Sequence, residues 1–446
     1  MTSDLKAGES QAREMRDTAR EIFLHALAES SIDKAFDRHV FYERGVLRIG
    51  EDLYDISSYG RIFVVSIGKA ARTMVQALMS RLGPGVGITG IACGPTQTNE
   101  QVFGFRYYTG GHPTPNADSV RAAEAILRAL EFRNHRALVI YLLSGGGSSL
   151  VEKPISDAIS LADLVQTYQA LVHSGAPIAE INAVRKHLSA VKGGRLAKVA
   201  APAQQVSVLV SDVPESALDS LASGPTMPDS STIRQCNEIV KRYKLLPEFP
   251  KSVRDLFERG RLEETPKQGD EAFARSRWWN VLSNASAQKA AIEKAALAGF
   301  AVEVDNSCDD WDYAKAGDHL LKRIRELRKG VSRVCLICGG EVTVTVKGKS
   351  GIGGRNQQLA LYCSTKIVGE NIAVLSAGTD GIDGNSNVAG AIADGTTVAR
   401  AREKGVSVET ALQEFDATPL FEALGDTLVT GPTGNNVRDL RVILAW

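Results

Sequence analysis

Residues Ala137–Leu150 read ALVIYLLSGGGSSL, seven apolar or aromatic residues followed by Ser144, Gly145, Gly146, Gly147, Ser148 and Ser149. An unbroken apolar run bounded by glycine suits a strand buried on both faces, as in a parallel sheet covered by helices. Three glycines directly after such a strand let backbone N–H groups approach an anion closely, and the serine hydroxyls add donors. Close packing of a bare turn against a neighbouring helix explains the glycines equally well. Two sharper motifs fail on spacing. A nucleophile elbow needs G-x-S-x-G, and Leu150 stands where the second glycine belongs. A phosphate loop ending Gly348-Lys349-Ser350 has Thr343 in place of its first glycine.

Working outward, RIFVVSI from Arg61, GITGIAC from Gly87 and VSVLVS from Val206 read as further short strands. An opening helix is expected over Gln11–Ala28, and helices over Ala117–Phe132 and Leu161–His173 separate the strands. That alternation predicts a doubly wound α/β first domain, residues 1–259. The charged segment 260–277 reads as a linker or exposed loop. Alternation resumes over 278–446 with strands WWNVL, AVEVD, RVCLICGG and EVTVTV and helices Ala285–Leu297 and Ala314–Leu327. Glu341–Val346 alternates at period two, which predicts an antiparallel element in this second, smaller domain.

The 446 residues exceed what one core usually organises. With 52 Lys plus Arg against 52 Asp plus Glu, no net field holds nucleic acid or an anionic membrane surface. No apolar run is long enough to span a membrane, and the N-terminus lacks the pattern of a secretory or transit peptide. Six scattered cysteines suit a reduced, cytoplasmic protein. Cys335 and Cys338 have C-x-x-C spacing but no second pair, and read as core residues.

Ligands of an open parallel sheet bind beyond the carboxyl ends of its strands. Five strand ends carry glycine with polar residues: Ser66–Lys69, Ser144–Ser149, Ser211-Asp212, Gly339–Glu341 and Ser376–Gly381. No G-x-G-x-x-G opens a helix, which speaks against a nicotinamide-dependent reductase. Arg355 precedes a helix expected from Asn356, where a planar fork and a helix N-terminus both suit phosphate. Asn182, Arg185, Lys186, His187 and Lys192 crowd one short region, which also fits a solvated helix face. Asp383 reads most simply as a local hydrogen-bonding group in a glycine turn.

Together these segments resemble the glycerate 2-kinase family, whose C-terminal part is the MOFRL domain. The matching stretches are SIGKAA, GGHPTP, LLSGGGSSL, INAVRKHLSAVKGGRLA, ASGPTMPD, GGE, GGRNQQLAL, SAGTDGIDGNSNVAGAIAD and TGPTGNNVRDL, in the family's order. The resemblance implies transfer of the ATP γ-phosphoryl group to the 2-hydroxyl of D-glycerate with Mg2+, and a Rossmann-like first domain with a cleft before the second. It implies catalytic roles for Lys69 and Arg355, stabilising the transferred phosphate or the glycerate carboxylate, and for Asp380, accepting the hydroxyl proton or holding Mg2+. Ser144–Ser149, Asn182, Arg185, Lys186 and Glu341 are substrate- or phosphate-binding candidates, and Asp212 is the metal candidate. His112 and His187 read as satisfied structural histidines. The C-terminal tail is expected to pack back on the first domain, and a homo-oligomer stays open. The chain departs from the family pattern at Val213–Ser216, where a Gly-Asp pair is expected, and at Asn435 and Arg438. A hydroxypyruvate reductase using NAD(P)H and a noncatalytic metabolite-binding protein are the alternative functions.

Overall fold

The computed structural model describes residues 2–97, 101–131, 134–346, 348 and 350–446. The expected helix end at Phe132, and Lys349 of the rejected phosphate loop, lie outside these residues. The chain folds into two compact units, Ala35–Val281 and Met1–Lys34 with Leu282–Trp446.

That division differs from the sequence expectation in two places. The opening helix Thr2–Glu29 belongs with the C-terminal half. Its stripe of Ala19, Ile22, Phe23 and Ala26 is fully buried, and Arg16 forms ion pairs with Asp394 and Asp426. Segment 260–277 is no free linker. Glu264 meets His187 Nε2 at 2.8 Å, Thr265 Oγ1 donates to Asp229 at 2.8 Å, and Arg275 accepts from the Gln205 N–H at 2.9 Å. Its charges and hydroxyls serve long-range contacts that composition does not reveal. The C-terminal residues Asp439–Ala445 form a strand of the second unit's own sheet.

The Ala35–Val281 unit opens with an antiparallel meander, β1 (Val40–Glu43), β2 (Val46–Ile49) and β3 (Asp52–Asp55). Its main sheet contains β4 (Arg61–Ile67), β5 (Ile88–Gly94), β6 (Phe105–Thr109), β7 (Ala137–Ser144), β8 (Gln204–Val210) and β9 (Ser276–Leu282), in the order β6-β5-β4-β7-β8-β9. Strands β4 to β8 pair in parallel, which is the doubly wound arrangement expected. All eight residues of β7 are buried, because helices cover both faces of its sheet.

The second unit has a mixed sheet of β10 (Ala301–Val304), β11 (Val334–Gly339), β12 (Ile372–Gly378), β13 (Gly390–Asp394), β14 (Thr427–Leu428) and β15 (Asp439–Ala445). Its order is β10-β11-β15-β12-β13-β14, so the C-terminal tail is a central strand. It runs antiparallel to both β11 and β12, placing Leu440 opposite Gly339 and Asp439 opposite Gly378. The antiparallel content is therefore real but does not come from Glu341–Val346. There Thr343 makes one isolated bridge to Asp312, closed by hydrogen bonds to Trp311 and Tyr313. Its alternation reflects one buried residue, Val342, between wetter neighbours. Cys335 and Cys338 lie in β11, three positions apart and hence on opposite faces, and burial raises both thiol pKa values.

Candidate active site

In a doubly wound sheet the strand order reverses at one point, and loops diverging there leave a crevice for ligands. Here the reversal lies between β4 and β7, followed by Gly68–Ala70 and Gly145–Ser149. The two loops are clamped together. The Lys69 N–H donates to the Gly145 carbonyl at 2.9 Å, and the Ala70 N–H donates to Ser144 Oγ at 3.0 Å. Gly68 has φ +132° and leaves no room for a side chain, since an added Cβ would lie 2.1 Å from Ser144 Oγ. Ser144 is thus spent on shaping the turn. Gly146, at φ +79°, lets the loop pass between Lys69 and His112. Asp212, just past β8, lies against Gly145, where a Cβ would fall 1.9 Å from Oδ2.

Lys69, the glycine turn, His112 and Asp212 therefore meet at one sheet end, with the Lys69 side chain exposed. Burial, assisted by the Lys69 charge, lowers the His112 pKa. Beside them is a cavity of about 400 Å³. Its wall includes His112, Gly146, Ser148, Ser149, Tyr168, Arg185 and Lys192. His112 is thus a cavity residue, against expectation. His187 fits the structural reading, with both ring nitrogens on Ala183 O and Glu264.

The helix Ile178–His187 distributes the remaining candidates by periodicity. Asn182 and Arg185, three apart, share a face. Lys186 points elsewhere, pairing with Asp229 at 3.1 Å and Asp219 at 3.2 Å. Lys192 is fully buried in an ion pair with Glu152. Burial lowers the lysine pKa even though Glu152 opposes that shift. Sequence reading missed Glu152 altogether. Its only signal is a charge placed directly after the buried run Ser149–Val151.

In the second unit, the antiparallel register of β15 brings a C-terminal residue to the same sheet end as the loops after β11 and β12. Asp439 accepts both arms of the Arg355 fork, from Nε at 2.6 Å and from an Nη at 2.9 Å. Glu341 pairs with Arg355 at 3.0 Å. Burial works against the Arg355 charge, but Asp439 and Glu341 outweigh it and raise its pKa. Asp380 lies next door: a Cβ on Gly378 would be 3.0 Å from its Oδ1 and 3.5 Å from Asp439 Oδ1. Asp380 Oδ1 also accepts from the Ile382 N–H at 3.1 Å.

Asp383 has the local role expected. It accepts from the N–H groups of Asn356 and Gln357 at 3.1 and 2.9 Å, capping the helix that begins at Arg355. Arg438, one of the departures from the family pattern, forms a two-pronged pair with Asp309 at 2.7 and 2.6 Å. Asn435 donates to the Ser30 carbonyl.

Among the described residues no three His, Cys, Asp or Glu side chains meet as a closed metal cage. Mg2+ is usually held by one or two carboxylates together with substrate phosphate oxygens, so single carboxylates at these strand ends fit its chemistry.

Residues 18–258 match the family model described as "Domain of unknown function (DUF4147)", and residues 334–439 match the MOFRL family. The chain is 37% identical to the D-glycerate 2-kinase of Thermotoga maritima, over 85% of this chain and 89% of that protein. It is 35% identical to an Agrobacterium vitis protein provisionally named a hydroxypyruvate reductase, over 86% and 87%. A crystal structure of glycerate kinase from Thermotoga maritima superposes with TM-score 0.85 at 33% identity, covering 97% of this chain and 100% of that one.

Proposed function

Because the chain belongs to the glycerate 2-kinase (MOFRL) family, we propose that it transfers the γ-phosphoryl group of ATP to the 2-hydroxyl of D-glycerate, giving 2-phosphoglycerate and ADP. The observation that carries this reading is the 37% identity to a D-glycerate 2-kinase over 85% of the chain. The site chemistry supports it. Phosphoryl transfer asks a protein mainly for positioning and charge compensation, and both units place cations and carboxylates at glycine-rich strand ends. The DUF4147 match spans the segment that carries Lys69, the glycine turn and Asp212, and the MOFRL match spans the segment that carries Arg355 and Asp380.

In this reading the bond from the γ-phosphorus to its bridging oxygen breaks as a bond to glycerate O2 forms. Asp380 accepts the hydroxyl proton. Lys69 and Arg355 offset charge on the migrating group, and losing either costs about 10³-fold in rate by analogy with arginine fingers. The glycine turn Gly145–Ser149 supplies backbone and hydroxyl donors to an anionic oxygen. Asp212 is the residue to hold Mg2+, whose chemistry is to neutralise phosphate charge. The absence of a dinucleotide fingerprint weighs against the reductase alternative.

The test is product identification. Purified protein with Mg2+, ATP and D-glycerate should yield 2-phosphoglycerate by 31P NMR, and phosphoenolpyruvate directly on adding enolase alone. Turnover of NADH or NADPH with hydroxypyruvate, without ADP release from the kinase mixture, would overturn the proposal. Asp380→Asn should lower kcat about 10²–10⁴-fold, as loss of a general base does, with an unchanged circular dichroism spectrum.

A further inference from the structure

The cavity beside the glycine turn contains a cation whose needs the protein leaves unmet. Arg185 rests on the Tyr168 ring, its Cζ 4.8 Å from the centroid, and its Nε is buried with no hydrogen-bond partner. Burying a guanidinium donor without an acceptor is costly, and such exceptions in native proteins call for a ligand or a reason.

Glu152 does not supply the missing acceptor, because its oxygens are already engaged. One accepts from Ser189 Oγ at 2.6 Å and the Lys153 N–H at 3.0 Å. The other accepts from Tyr168 Oη at 2.7 Å and from Lys192. A carboxylate offers about four lone-pair sites, so none is left for Arg185. The charges of Lys192 and Glu152 cancel, and Arg185 leaves the group with one net positive charge.

From this geometry we infer that the cavity is the carboxylate pocket for the hydroxy-acid acceptor, with Arg185 as its anchor and the Lys192–Glu152–Tyr168 network as the scaffold that holds Arg185 in place. The inference rests on the kinase reading for its choice of acid. A single excess positive charge matches one carboxylate, whereas a nucleotide's phosphate chain needs several compensating groups. Pro113, Pro115, Val165 and Val172 add apolar lining to the cavity, which suits the carbon side of a small acid. Ser148 and Ser149 line the same cavity and can address its hydroxyls.

The test uses full-length protein and isothermal titration with D-glycerate, its uncharged analogue D-glyceramide, and ADP. Wild type should bind D-glycerate about 10- to 100-fold more tightly than D-glyceramide, the range expected when a charge-assisted hydrogen bond is lost. In Arg185→Gln that preference should vanish while ADP affinity stays within about 2-fold. If that variant does not fold, as judged by circular dichroism, Arg185→Lys carries the test, with the preference reduced but present and ADP binding again unchanged. Undiminished D-glycerate preference in the variant would overturn the assignment. So would a loss confined to ADP, which would make this a nucleotide phosphate pocket. Failure of the kinase reading is seen separately, as no 2-phosphoglycerate from wild type. In that case the pocket is still tested by whether Arg185→Gln abolishes discrimination between D-lactate and D-lactamide.

Discussion

Replacing Asp439 with asparagine preserves shape but removes a buried countercharge. The Asp439 side chain is 1% exposed and binds the Arg355 fork at 2.6 Å, while the fully buried Arg441 lies 3.7 Å from its Oδ2. Arg441 has little other compensation, since its Nε and one Nη are buried without hydrogen-bond partners. Removing one member of a buried ion pair costs about 3–5 kcal/mol, because the remaining charge stays desolvated. For a unit of about 200 residues, at about 2–4 °C per kcal/mol, the melting temperature should fall by about 6–20 °C. Arg355→Gln is the control. Arg355 is more than a third exposed, and its loss leaves Asp439 beside Arg441, so its stability cost should be about 1–2 kcal/mol, within the ordinary range for a point mutant. Its loss of kcat should nevertheless be large. Differential scanning calorimetry of both variants separates the roles. An Asp439→Asn transition within about 2 °C of wild type would refute the idea that this carboxylate neutralises Arg441.

Gly68→Ala places a Cβ 2.1 Å from Ser144 Oγ at φ +132°, so it should cost about 2–5 kcal/mol in urea denaturation from strain and overpacking combined, and lower kcat by displacing Lys69. Lys192→Met strands the buried Glu152 charge. Its cost should be about 3–5 kcal/mol, and adding Glu152→Gln should recover most of it, a coupling read from a double-mutant cycle. Glu264 is exposed, and what desolvation it suffers is outweighed by its bonds to His187 and Lys267, which depress its pKa to about 2. The unfolded-state value is about 4.5, so the stabilisation is present above that pH and is lost as pH falls toward 2. The urea midpoints of wild type and Glu264→Gln should therefore differ at pH 6 and converge on acidification.

The strands that build both sites were legible because burial on two faces leaves long apolar runs. Thus β4 spans the expected RIFVVSI, and β7 extends the expected ALVIYLL only by Ser144. What escaped reading was set by partners distant in sequence. The meander β1–β3 consists of four-residue strands carrying charges, with no run to detect. The N-terminal helix showed its apolar stripe, but nothing local names its partners Asp394 and Asp426, which are about 400 residues away. Asp439 belonged to a quoted motif, yet only the register that sets it opposite Gly378 makes it a partner of Arg355.

The same limit explains why the cationic candidates divided as they did. Arg185, Lys186 and Lys192 lie within eight positions in a charged stretch, which makes a solvated face the natural reading. Helical periodicity alone separates Lys186 from Arg185, but it cannot say that Asp229 and Asp219 wait on one side and an acceptor-poor cavity on the other. A cation's role is decided by whether the fold supplies enough oxygen to satisfy it. Lys186 and Lys192 are matched with carboxylates, so their charge holds structure together. Arg355 is matched too, but it is partly exposed and shares one of its carboxylates, Glu341, with solvent. Arg185 has an aromatic face and an unpartnered donor, and of the four it is the one whose desolvation is left for a ligand to offset.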